Sequence, residues 1–464
     1  MCKIALVQGV RLVGGGGKGR GKDIEQREIV MYNYNMMGAI HKNIKYLDLF
    51  AGAGGLSEGF VREGYEPIAH VEISEAACYT LKTRAGFHYL RKVNNLQPYI
   101  DYLSGKISRD AFYGFIPQSI LDSVVCKEIS EDNLSFIFDK IDSLKEQSSV
   151  DLIIGGPPCQ AYSLVGRARD PNGMLNDKRN YLFLFYVKFL EKYQPKYFVF
   201  ENVLGLLSAK DEKGHRYLDM MTDAFNKAGY KIDFKVMNAR DYGVLQNRKR
   251  IIIVGKRTND DNFHFQWPEY IQMDAQVNAI FSDLPTIFAG EGNIHYCELL
   301  DNPHQWLVES NVRSQISEIP ITYYCSRTHK KQDLEIYKIA VQKWNENHER
   351  LKYSDLPDYL KTHKNQDSFL DRFKVVAADE DASQTVVAHI AKDGHYYIHP
   401  SLEQNRSLTP REAARLQTFP DDYYFESASG KPSRTDAYKQ IGNAVPVRLA
   451  CVIAQQLWGI MENE

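Results

Sequence analysis

The sequence predicts a doubly wound α/β domain interrupted by a second, smaller domain, and three observations carry that prediction. From Ile44 to Lys256, short apolar runs of strand character alternate with helical periods. Several of those runs end on glycine- or proline-rich turns, as at Gly52-Ala53-Gly54-Gly55 and Gly155-Gly156-Pro157-Pro158. Beyond Lys256 the alternation stops, and it resumes near Leu408, so the intervening segment is an insertion and the first domain closes with the end of the chain.

Residues 1–42 read as a flexible extension, because Val13–Lys22 is a solvated Gly/Lys/Arg tract. Gly16–Lys22 meets the first seven positions of G-x-x-x-x-G-K-[ST], but Asp23 stands where the magnesium-ligating hydroxyl belongs, which argues against a phosphate loop. Met31, Met36 and Met37 all precede the first strand, which points to an upstream start codon as the origin of this tract. The domain proper occupies residues 43–256. Ile44–Phe50 is its first strand, Leu56–Arg62 a helix closed by Gly64, Pro67–Ile73 the second strand and Ala76–Thr83 the next helix. Asn94–Ile120 is polar and aromatic without a clean period, and reads as a surface insertion. Strands recur at Ser123–Ile129, Val150–Ile154 and Tyr197–Phe200, with a helix over Arg179–Lys192 that stops before Pro195. Residues 257–405 form the second domain, and residues 406–464 return to the first. In that return, Thr409 is placed as a helix N-cap, with Pro410 at the first helical position and Glu412 completing a capping box. Gln440–Pro446 reads as a loop and Val447–Met461 as the last helix.

Composition excludes some classes. A formal net charge of −2 gives no global basic signature, so any nucleic-acid contact must be local. No apolar run approaches the roughly 20 residues needed to span a bilayer, so no membrane role is expected. The seven cysteines contain no C-x-x-C pair, which argues against a disulfide framework or zinc site and for a reducing, cytoplasmic setting; no metal is expected.

Three segments carry the chemistry. Cys159 follows Gly155-Gly156-Pro157-Pro158 at the end of a strand, where a rigid turn holds a thiol at the mouth of a sheet. Glu201-Asn202-Val203 ends the strand Tyr197–Phe200, so its carboxylate lies on the same edge. Asp48-Leu49-Phe50-Ala51-Gly52-Ala53-Gly54-Gly55-Leu56 is a strand–turn–helix that brings backbone close to a ligand, with Glu72 on the next strand end as a group for ribose hydroxyls. Together with Gln246-Asn247-Arg248-Lys249-Arg250 and Gln440-Ile441-Gly442-Asn443-Ala444-Val445-Pro446, these segments resemble, in order, the DNA (cytosine-5) methyltransferase family of bacterial restriction–modification type; the likeness runs from Ile44 to Leu457.

The resemblance implies an S-adenosylmethionine-dependent, Rossmann-like methyltransferase sheet carrying an inserted target recognition domain. It implies that Cys159 attacks C6 of a flipped-out cytosine in double-stranded DNA. Attack there makes C5 enamine-like, so that it can take the methyl group, and Glu201 supplies the proton at N3. Arg248 and Arg250 orient the base and the catalytic loop. It also implies an S-adenosylmethionine pocket made of Phe50, Ala51, Gly52, Gly54, Gly55, Leu56, Glu72, Ile73, Pro157, Leu182, Asn443, Ala444 and Val445. Glu128 and Ile129 stand where the family usually has an Asp for the adenine amine. A monomer working alongside a restriction endonuclease is the implied biology. Arg327, Lys330, Lys331, Arg350, Lys352, Lys361, Lys364, Arg372 and Lys374 could together supply phosphate contacts, though a solvated surface accounts for each alone.

Two rivals share parts of this pattern. A zinc deaminase needs P-C-x-x-C and H-x-E, and Cys159 is followed by Gln160, Ala161 and Tyr162 instead. A tRNA cytosine-5 methyltransferase shares the catalytic set, but the long segment before Arg406 favours a reader of duplex DNA.

Overall fold

A computed structural model describes residues 43–158, 181–314, 316–362 and 370–464. A seven-stranded sheet lies at its centre: β1 (Lys45–Leu49), β2 (Glu66–Glu72), β3 (Val124–Cys126), β4 (Leu152–Gly155), β5 (Tyr197–Asn202), β6 (Tyr230–Asn238) and β7 (Lys249–Arg257), in the order β3-β2-β1-β4-β5-β7-β6. Strands β1 to β5 pair in parallel, and β7 runs antiparallel to both its neighbours. The expected α/β class is borne out.

The central strands are apolar on both sides because both sides are covered. Leu47, Ile153, Phe198, Phe200, Ile251 and Ile253 pack under α6 (Glu131–Lys145), α7 (Leu182–Tyr193) and α8 (Tyr217–Lys227). Tyr46, Leu152, Ile154, Val199, Ile252 and Val254 face α1 (Gly55–Arg62) and α13 (Val447–Glu462) instead. The chain's last helix therefore covers the same side of the sheet as α1. Contact between α1 and α13 is close: a Cβ on Gly59 would stand 2.4 Å from Ala450 Cβ.

Several elements differ from expectation. The helix after β2 is α2 (Glu75–Lys92), longer than Ala76–Thr83. Asn94–Ile120 is not a surface insertion. It forms three short helices, α3 (Gln97–Leu103), α4 (Arg109–Tyr113) and α5 (Gln118–Asp122), with Tyr99, Leu103 and Phe112 fully buried. These tyrosines read as polar in sequence, yet their hydroxyls have internal partners: Tyr99 donates to Asp422 O at 2.7 Å and Tyr102 to Glu426 Oε1 at 2.6 Å. Gln440–Pro446 is only partly a loop, since α12 spans Arg434–Asn443 and just Ala444–Pro446 leaves the helix.

Between β7 and residue 406 the chain holds short elements, with α9 at Gln305–Glu309 and the longer α10 at Lys331–Asn347. The returning segment opens with α11 (Pro410–Leu416), whose capping box is formed as expected: Thr409 Oγ1 accepts from Glu412 N at 3.2 Å, and Glu412 Oε2 accepts from Thr409 N at 2.6 Å.

Gly59→Ala forces a methyl group into the α1–α13 contact. It should cost about 1–3 kcal/mol of stability as overpacking does, read as a lower midpoint in urea unfolding; an unchanged midpoint would mean the two helices can part freely.

Candidate active site

Strand order reverses between β1 and β4, and the crevice outside the carboxyl ends of parallel strands at such a point is where α/β sheets bind ligands. The turn after β1, the ends of β2 and β3, the start of the loop after β4 and the end of β5 all open onto this edge. Being antiparallel, β7 brings its amino-terminal end there too, with Ile251 paired to Asn202.

The turn after β1 is held in a conformation costly for most residues. Phe50, Gly52 and Gly54 all have positive φ, at 56°, 54° and 79°. A Cβ on Gly54 would stand 2.9 Å from Tyr423 Oη, and one on Gly55 would stand 2.4 Å from Val445 O. A Cβ on Gly52 would meet no atom within 4 Å. Leu56 lies within the helix that the turn begins, and Ala51 is buried beneath it.

Glu72 fastens this turn. Its Oε2 accepts from Gly52 N and its Oε1 from Ser74 N, both at 2.8 Å. Burial raises the Glu72 carboxyl above the usual range, while these backbone donors favour the charged form. Ile73, the next residue, is 60% exposed although large and apolar. Beyond β3, Glu128 is exposed and Ile129 buried.

Cys159 lies outside the described residues, but the turn leading to it is placed. Asn202 Nδ2 donates to Pro157 O at 3.4 Å, joining the end of β5 to that turn. Glu201 Oε1 is 2.6 Å from Arg250 Nε, and both side chains are largely shielded from solvent. A Cβ on Gly156 would stand 2.7 Å from Glu201 Oε2, so the glycine admits the carboxylate. Glu201 and Arg250 are thus brought together against the turn that precedes Cys159. The Asn202–Pro157 contact has no sequence signal beyond the adjacency of Asn202 to Glu201.

Arg248 goes elsewhere. Its guanidinium is buried, donating to Val386 O at 2.6 Å and to Gly442 O at 3.2 Å. Leu182 starts α7 and is half-buried. Asn443 is exposed, whereas Ala444 and Val445 are buried against the glycine turn. Among the inserted cations, Arg327 turns inward to Ala391 O, Arg372 pairs with Asp393 at 2.5 Å and Lys361 with Asp358 at 3.0 Å.

The chain matches the family model for C-5 cytosine-specific DNA methylase over residues 44–117 and 118–459. The chain belongs to that family. It is a DNA cytosine-5 methyltransferase. Among curated relatives, it is 37% identical to the Type II methyltransferase M.Bpa9945I of Bacillus paralicheniformis, across 90% of this chain and 99% of that one. It is 30% identical to the Type II methyltransferase M.DdeI of Desulfomicrobium norvegicum, across 90% and 89%. Among solved structures, a prophage-encoded protein of E. coli described as a DNA modification methyltransferase superposes with a TM-score of 0.58 at 22% identity, covering 91% of this chain and all of that one, which shows a shared fold.

In this methyltransferase the helix leaving the glycine turn is anchored by a buried ion cluster. Glu58 meets Arg84 at 2.6 Å and His88 at 3.1 Å, and Arg84 also meets Asp422 at 2.8 Å. Burial alone would raise the Glu58 carboxyl, but Arg84 and His88 hold it well below the usual carboxylate range. A depressed folded pKa gives stability that is complete above the unfolded value near 4.5 and is lost as pH falls through the folded value. Glu58→Gln should therefore lower stability at pH 7 by about 2 kcal/mol, the scale of a hydrogen bond to a charged group, and flatten the loss of stability below pH 4.5. Parallel stability–pH curves for the two proteins would contradict this account.

Proposed function

We propose that this enzyme methylates C5 of cytosine within a defined sequence of double-stranded DNA, using S-adenosylmethionine and a covalent bond from Cys159 to C6 of a flipped-out base. The observation that carries the reading is the Glu201–Arg250 pair, set against Gly156 three positions before Cys159. A free thiol titrates near 8.5 and is only a few per cent thiolate at neutral pH, so the ring must be activated at the same time. Glu201 does so by sharing a proton with N3 as charge develops, and Arg250 fixes the carboxylate in place. General acid help of this kind is worth about 10² to 10⁴ in rate. After methyl transfer a base removes the C5 proton and the thiol is eliminated.

S-adenosylmethionine, when bound, supplies the methyl group. The residues present fit it. The left-handed turn from Phe50 to Gly55 gives close backbone approach, Glu72 gives a carboxylate for ribose hydroxyls, and Ile73 gives an apolar surface. Ala444 and Val445 back the turn, and the proposed pocket also takes in Leu56, Pro157, Leu182, Glu128, Ile129 and Asn443. Arg248 serves best as a brace between β7 and the end of the inserted segment, given its two carbonyl partners. Residues 43–256 and 406–464 then form the catalytic domain, and residues 257–405 the target recognition domain. The Type II methyltransferase names of its relatives support pairing with a restriction endonuclease, and the proposed enzyme is a monomer acting in the cytoplasm.

Cys159→Ala should abolish methyl transfer and leave cofactor binding intact. With the wild-type protein, duplex DNA carrying 5-fluorocytosine should trap a protein–DNA adduct, because fluorine cannot leave as the proton does. Residual transfer by the alanine variant near the wild-type rate, or adducts with tRNA but none with duplex DNA, would overturn the reading.

Glu201→Gln should preserve the fold and lower turnover by about 10² or more. Single-turnover rates within twofold of wild type would remove Glu201 from the mechanism.

A further inference from the structure

Two fully buried glutamines lie between the end of the inserted segment and the glycine turn. Gln246 Oε1 accepts from Val386 N at 2.9 Å, while its Nε2 donates to Leu416 O at 3.0 Å and to Gln417 Oε1 at 3.1 Å. Gln417 Nε2 in turn donates to Ile441 O at 2.7 Å and to Ala444 O at 3.2 Å. Every link runs from an N–H to an oxygen in one direction, and both N–H bonds of each amide are used. Carboxylates cannot donate, and apolar side chains can neither donate nor accept, so only a carboxamide of this length satisfies both positions. A half-satisfied buried network would be costly, so the arrangement of one end constrains the other.

Each end meets something functional. At one end, Val386 is gripped twice, since Arg248 also donates to its carbonyl. Thr385 Oγ1 donates to Asn247 O, and Asn247 and Val387 are exposed. The outer side of Thr385–Val387 therefore faces solvent while its inner side is held. At the other end, Ala444 and Val445 press on Gly55 of the turn: a Cβ there would stand 3.1 Å from Ala444 Cβ and 2.4 Å from Val445 O. Backbone contact closes the path, because a Cβ on Gly442 would stand 2.2 Å from Ala388 N.

We propose that Gln246 and Gln417 are positioning residues that couple the seat of Thr385–Val386 to the glycine turn, so that DNA engaged by the inserted segment tightens cofactor binding. This rests on the cofactor and recognition roles proposed above. By linkage the effect is reciprocal: occupancy of the turn must also steady Val386.

The test is calorimetric titration of the full chain with S-adenosylhomocysteine. It is run alone, with a duplex bearing the sequence that bisulfite sequencing shows this enzyme methylates, and with a scrambled duplex. For wild type, the target duplex should tighten binding by about 5- to 150-fold, the usual span of coupling between sites. Gln417→Met keeps the length of the side chain and removes both links. In it the ratio should fall to about twofold or less, with DNA-free affinity changed by less than the ratio. A Gln417→Met ratio equal to wild type would overturn the relay, as would a wild-type ratio of one. No binding of S-adenosylhomocysteine to wild type would instead overturn the cofactor reading on which the relay stands. Should the variant fail to fold, hydrogen exchange on the wild-type protein decides. S-adenosylhomocysteine alone should slow exchange of the Val386 amide, and an unchanged rate would overturn the proposal.

Discussion

The approach of Val445 to the glycine turn is the constraint on which the rest of the molecule depends. A carbonyl from the last tenth of the chain stands where a side chain on Gly55 would be, and the helix that follows packs on Gly59 with equal closeness. The turn packs directly against the end of the chain, and α13 supplies one of the covering layers of the sheet. The cover of the sheet is therefore completed by residues that follow the long segment between β7 and α11.

Ile280, Trp306, Leu307 and Tyr323 share one apolar core with Leu408, Ala414 and Phe419, and buried ion pairs fix how the two segments fit. Arg415 forks onto Asp421 at 2.9 and 2.8 Å and reaches Asp283 of the inserted segment at 2.6 Å. Arg406 and Glu412 make a bidentate pair at 2.8 Å within the returning segment. Arg411 instead spends its donors on Thr322, Pro420 and Tyr423, and burial lowers its pKa. Such pairs add little net stability once desolvation is counted, but a misplaced partner leaves a buried charge uncompensated. Their effect is to make one seating of the inserted segment far better than any other. Thr418 shows the cost of that seating. It is a β-branched residue at φ 55°, held there while its hydroxyl accepts from Arg448 N at 2.9 Å and caps the last helix.

The separation of Arg248 from Arg250 has the same origin. Strand alternation puts them on one side, yet β7 begins only at Lys249, and Arg248 lies before it, where the chain is already engaged with Val386. Arg250, inside the strand and next to the end of β5, meets Glu201.

The sequence by itself determined the α/β class, the strands that carry the site, the turn around Gly52–Gly55 and the capping box at Thr409–Glu412. Each of these rests on local chemistry: apolar period, glycine freedom at positive φ, a hydroxyl placed to cap. It also determined which motifs occur and in what order, and these point to the family that the whole-chain match shows. Tertiary structure alone decided the partners of the long polar side chains. Whether an arginine faces a crevice or braces a carbonyl, whether a tyrosine is surface or core, and which glutamines meet across the chain all depend on contacts between distant residues. Gln246 and Gln417 stand 171 positions apart, and no local period records that they touch.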